Sequence, residues 1–206
     1  MRIPQCSTRL IAMLLALPLA LSGCAAIRSE APMMFDLGPV RLAPDTRLLA
    51  GTEPVNVAEV ATPAWLDSQY IYFRLNYAEP QQPRPYVASR WVMPPAQMLA
   101  QQIRQRIAQA GGIALRPGDG AFDAPTLRVQ VDDFSQQFAG PERSAGRVAL
   151  RATLLRGRTV LGQRTFIHEV PAQRADAAGG AHALAVASDA ALGELVAWLA
   201  TLELRR

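Results

Sequence analysis

The chain has 206 residues, half of them hydrophobic and 18% charged, with a formal net charge of +4. That supply of apolar side chains is enough for one folded domain with a real core, and it excludes an intrinsically disordered chain. Every basic residue is Arg and none is Lys, and the arginines are dispersed without a basic stripe, so no nucleic-acid partner is expected.

The first segment reads as targeting. Arg2 and Arg9 precede a 12-residue apolar run, Leu10 to Leu21. A membrane-spanning helix needs about 20 residues, so a secretory signal is the better reading. The run ends in Leu21-Ser22-Gly23-Cys24, which resembles the lipobox of bacterial lipoprotein precursors. Small residues at Ser22 and Gly23 admit the processing enzymes, and the Cys24 thiol is the nucleophile that would take a diacylglyceryl group. Residues 1–23 are therefore expected to leave as a signal peptide. The net charge then falls to about +2 as Arg2 and Arg9 go with it. A covalent lipid on Cys24, palmitate among its acyl chains, would be the only added group, and no cofactor or metal is expected. Ala25 rather than Asp follows the cysteine; under the sorting rule of such lipoproteins this sends the chain to the periplasmic face of the outer membrane. Cys6 leaves with the signal, so the mature chain has no pair of thiols for a disulfide.

Residues 24–53 carry Pro32, Pro39, Pro44, Gly38 and Gly51 and read as a lipidated tether, with one short edge strand at Met33 to Leu37. A single domain is expected over 54–206. Alternation predicts strands at Val55 to Val60, Tyr70 to Leu75 and Tyr86 to Val92, with a Pro/Gln-rich loop at 79–85. Pro94 and Pro95 suit a helix start. Ala96, Leu99, Ile103 and Ile107 then share one helical face until Gly111-Gly112. After a short strand at Ile113 to Arg116 and a turn at Pro117-Gly118-Asp119-Gly120 come three segments. The first two alternate: Leu127, Val129 and Val131, then Val148, Leu150, Ala152 and Leu154. The third, Thr159 to Val170, follows the Arg156-Gly157-Arg158 turn. They read as three adjacent antiparallel strands. A last helix opens at Gly179-Gly180, with Leu184, Leu192, Leu195, Leu199 and Leu202 on one side. The expected fold class is α+β: a two-layer sandwich, a mainly antiparallel sheet with two helices on one face.

Catalytic patterns are missing. His168 and His182 have no partner at metal-ligand spacing, and no nucleophile elbow or phosphate loop occurs. Asp119 and Asp123 lack the other ligands of a calcium loop. Asp132 and Asp133 are neighbours on a strand and should point to opposite faces, at its wet end, with a bulge before Phe134 as the alternative. No enzyme is expected. The positive feature is aromatic: Trp65, Tyr70, Tyr72, Tyr77, Tyr86 and Trp91 fall between residues 65 and 91. Trp65, Tyr70, Tyr72, Tyr86 and Trp91 are the candidate partner-binding residues, since interfaces enrich aromatic side chains and Arg; equally, they can cover the sheet's second face. On the first reading Trp65 and Trp91 can be removed together without loss of the fold.

Several stretches resemble the ABC-type transport auxiliary lipoprotein family. They are Phe35-Asp36-Leu37-Gly38, Val57-Ala58-Glu59-Val60 leading to Pro63-Ala64-Trp65-Leu66-Asp67, Tyr86 to Pro95, Pro117-Gly118-Asp119-Gly120, and Arg151 to Arg156. The resemblance implies a non-catalytic subunit that docks a periplasmic MCE-domain protein of an ABC lipid-transport system, as a ring-shaped homo-oligomer held to the membrane by its lipid. An alternative from another class is an assembly factor for an outer-membrane β-barrel.

Overall fold

The computed structural model describes residues 31–40, 48–119, 123–202 and 204. Cys24 and the signal segment lie outside the described residues, as do 41–47. The body contains strands β1 (Met33–Phe35), β2 (Val55–Val57), β3 (Tyr70–Leu75) and β4 (Glu79–Trp91), then helix α1 (Pro95–Gln109). Strands β5 (Ala114–Leu115), β6 (Thr126–Gly140), β7 (Arg143–Arg156) and β8 (Thr159–Pro171) follow, and helix α2 (Ala177–Thr201) closes the chain. The class is α+β, one eight-stranded sheet with two helices on one face.

The antiparallel meander β6–β7–β8 is the largest part of the sheet, paired from Thr126↔Leu155 to Gly140↔Arg143 and from Ala145↔Pro171 to Arg156↔Thr159. Gly157, at φ +56°, makes the β7–β8 turn that the sequence signals. The other edge of β6 is shared. Its first half pairs in parallel with β2 (Val57↔Leu127), and its second half in parallel with β3 (Phe73↔Gln136). Beyond β3 lie β4, antiparallel, and β1, parallel to β4 with Met33 opposite Ser89. These short parallel contacts make the sheet mixed.

Alternation decides the buried face. Leu127, Val131, Val148, Leu150, Ala152 and Leu154 are no more than 3% exposed, as is Val129, and the helices cover them. On α1, Leu99, Ile103 and Ile107 face the sheet, and Gly111 at φ +79° ends the helix region. Asp176 caps α2, its side chain accepting from the Gly179 amide at 2.7 Å. Leu184, Leu192, Leu195 and Leu199 are fully buried. By length and apolarity α2 could span a bilayer, yet it lies against β6, β7 and β8 as a core helix. Arg106 of α1, itself buried, pairs with Asp189 of α2 and ties the helices together.

Three expectations need correction. The loop expected at 79–85 is strand: β4 runs from Glu79, with Leu75 opposite Glu79 and Phe73 opposite Arg84. Pro80, Pro83 and Pro85 fit there because β1 covers only 89–91, leaving an edge that needs no N–H donors. Second, the first strand of the meander does not end at Asp132 but bulges and continues to Gly140. Third, the stretch read as tether is body beyond its expected edge strand: Met33–Phe35 joins the sheet as expected, but Leu37 and Leu49 also enter the core, and the Glu53 amide donates to the Leu204 carbonyl at 2.8 Å.

Candidate functional site

The sheet face away from the helices carries the aromatic feature. In β3, Ile71 is fully buried and Phe73 stacks beside Tyr86 and Phe138, so both face the helices. Tyr70, Tyr72 and Arg74 therefore share the opposite face. The turn Ala64–Leu66 buries Leu66 and lays Trp65 against Tyr72, edge to face at 5.2 Å between centroids. Tyr70 lies 6.1 Å from Tyr72. Two guanidiniums flank the row, Arg74 at 5.0 Å from the Trp65 ring and Arg90 at 4.1 Å from the Tyr70 ring. Such cation–π pairs hold planar side chains in fixed positions while leaving their outer surfaces accessible.

A polar band continues this face across β6 and β7. The bulge at Asp132 leaves Val131 and Phe134 both buried in the core, so Asp132 and Asp133 project together onto the open face. This corrects the expectation of opposite faces: one inserted residue cancels the alternation. Nη2 of Arg151 reaches both oxygens of Asp132 at 2.9 Å. Asp133 accepts from Ser135 at 2.7 Å and from Gln137 at 3.1 Å, and lies 3.4 Å from Nε of Arg147, which also pairs with Glu169. Burial raises the Asp133 carboxyl above its ordinary 3.8, against the opposing pull of Ser135, Arg74 and Arg147. The band can bind charged or hydrogen-bonding groups, but its acids are already engaged by arginines.

Two aromatics expected at the interface lie elsewhere. Trp91 is 1% exposed and packs edge to face on Phe134 at 5.6 Å; it is core, and its removal takes packing from the fold itself. Tyr86 faces the helix layer. Its hydroxyl donates to Gln136 Oε1 at 2.7 Å, and burial, with the Asp176 charge second, pushes its pKa far above the ordinary value. The surface set reduces to Trp65, Tyr70 and Tyr72, with Arg74 and Arg90 beside them. Alternation puts Arg74 on the face of Tyr70 and Tyr72 from the sequence alone; Arg90 depended on the β3–β4 register.

The histidines stay apart. His182 is exposed on α2, and His168 Nε2 lies 3.3 Å from Glu194 across β8 and α2. Asp119 accepts from the Arg116 amide at 2.8 Å, which makes it a turn residue. Among the described residues no three His, Cys, Asp or Glu converge as metal ligands. A groove of about 1190 Å³ runs between α1 and β2–β5, its polar lining made by Glu59, Thr62, Asp67, Gln97, Gln101 and Arg104.

A two-layer α+β body is what this chain shares with a defined class. The chain belongs to the ABC-type transport auxiliary lipoprotein component family, whose model matches residues 35–197. It is a transport auxiliary component by that membership. Among solved structures it is similar to a Xanthomonas campestris protein of family DUF330, 25% identical with a TM-score of 0.70, over 82% of this chain and 95% of that one. An uncharacterized protein, 18% identical over 82% of this chain and 99% of that one, has a TM-score of 0.65 and shares the fold. The PelC dodecamer from Paraburkholderia phytofirmans is 12% identical over 77% of this chain and 96% of that one, with a TM-score of 0.42. No curated protein matches the chain.

Proposed function

We propose that the chain is a non-catalytic docking subunit, lipidated on Cys24 after loss of residues 1–23 and held at the periplasmic face of the outer membrane. In this reading it receives the periplasmic MCE-domain protein of an ABC system that moves lipid between the two membranes, as a ring-shaped homo-oligomer. One observation carries the docking reading: an ordered row of Trp65, Tyr72 and Tyr70, flanked by Arg74 and Arg90, on the sheet face that the helices leave open. Family membership supports the transport role. Rigid aromatics and arginines supply much of the energy of protein interfaces at little entropic cost.

The lipid link is short. Met33 already sits in the sheet, so the covalent path from Cys24 is at most about 30 Å of extended chain. The body works close to the membrane, and the partner must come to it.

Crosslinking in cells tests the reading. A C-terminally tagged chain purified from membranes should bring an MCE-domain protein with it, and Trp65→Ala combined with Tyr72→Ala should lose that partner. An outer-membrane barrel without an MCE protein would replace this reading by the barrel-assembly alternative. The mass of the purified assembly measures the oligomer.

A further inference from the structure

The edge of the sheet formed by β1 and β4 has an unusual surface. Val87 is 89% exposed, Met33 57% and Met34 50%, and Tyr70 is also exposed. Register places them along one edge, on its two sides: Met34 lies opposite Arg90, which lies opposite Tyr70, and Met33 lies opposite Ser89. Val87 sits where β4 loses step with β3, between the pairs Tyr72↔Pro85 and Tyr70↔Arg90. Nη1 of Arg90 holds this bulge by donating to three carbonyls, those of Tyr86 at 2.6 Å, Val87 at 3.0 Å and Ser89 at 2.8 Å. Those oxygens are turned onto the guanidinium, and the apolar side chain is what projects outward.

That combination matches a lipid surface. Unpaired carbonyls are costly at the headgroup and acyl boundary, and here the arginine satisfies them. Arg84 forms no ion pair among the described residues, so the edge offers positive charge to anionic headgroups. Strand addition by a second copy is opposed at the same edge by Pro80, Pro83 and Pro85, which carry no N–H to donate. Chain direction supplies the independent argument. β1 runs parallel to β4 from Met33 opposite Ser89, so the chain enters β1 from the Val87 side. Only residues 25–32 separate Cys24 from Met33, so a lipid on Cys24 keeps that end of the body within about 30 Å of the bilayer.

We propose that the β1–β4 edge rests on the bilayer, with Val87 and the two methionines at the headgroup boundary and Arg84 on anionic lipid. The inference rests on lipidation of Cys24, and it adds which side of the body meets the membrane.

The test uses the lipidated full-length mature chain in vesicles of phosphatidylethanolamine and phosphatidylglycerol. Val87→Cys carries an environment-sensitive fluorophore; Val160→Cys, 57% exposed on β8, is the control. Mass spectrometry first establishes the lipid on Cys24. The proposal expects a blue-shifted Val87 label that loses intensity with doxyl-labelled lipid, and a Val160 label that does neither. A lipidated chain whose Val87 label stays water-exposed overturns the proposal alone. So does a blue shift that doxyl lipid does not quench, which means contact with protein, or equal quenching at both sites. A chain without lipid overturns the anchoring reading, and this proposal with it.

Discussion

The Tyr86 hydroxyl and Gln136 Oε1 meet at 2.7 Å, joining β4 to the middle of β6 beneath the first turns of α2. Gln136 is fully buried, and its amide donates onward to Ser144 Oγ at 2.7 Å. A Cβ on Gly180 would stand 2.0 Å from Gln136 Oε1, which shows how closely the helix lies on this polar knot. Tyr86→Phe removes the donor and leaves a buried acceptor unpaired. The expected cost is about 1–3 kcal/mol, read as a lower urea midpoint at unchanged slope.

Trp91 and Trp65 separate core from surface. Trp91→Ala opens a cavity beside Phe134 and should cost about 3–5 kcal/mol. Trp65→Ala removes a half-buried ring and should cost clearly less. Equal losses of thermal midpoint in the two single variants would contradict this assignment.

Gly146 is where α2 touches β7. A Cβ there would lie 2.5 Å from the Leu184 amide nitrogen and 2.6 Å from the Ala183 carbonyl carbon, both backbone atoms that a rotamer change cannot move. Gly146→Ala must push the helix off the sheet. A destabilisation of about 1–3 kcal/mol is expected in denaturant titrations.

Asp133 gives a pH signature. Its carboxyl holds a proton more tightly in the folded protein than its ordinary 3.8 allows, because burial opposes the charge. The unfolded chain loses that proton first as pH rises, so folding stability declines through the window that opens at 3.8 and extends upward. Asp133→Asn has no such proton to lose. Its stability relative to the parent should therefore rise between acidic and neutral pH, measured by urea unfolding at each end.

Much of the fold was legible. The alternation of Val148, Leu150, Ala152 and Leu154 located β7 and its buried face, and Leu99, Ile103 and Ile107 marked the stripe of α1. Long segments with a sustained period speak for themselves because every residue repeats the same message. The edges were less legible. Prolines at 80, 83 and 85 read as a loop, because nothing local says that β4 would have an uncovered side.

The site was half legible. Clustering of aromatics was visible between residues 65 and 91, but not which of them would meet solvent. A period of two says which side chains share a face; it does not say which face the helices will cover, and a bulge resets it. Thus the sequence by itself determined the α+β class, the meander β6–β8, both helices and the family motifs. Only the tertiary structure decided that Trp91 is core and Trp65 surface, that Asp132 and Asp133 share one face, and that Met33–Phe35 pairs with β4. Those outcomes depend on register between strands distant in the chain, and register is set by packing of the whole sheet rather than by any local run.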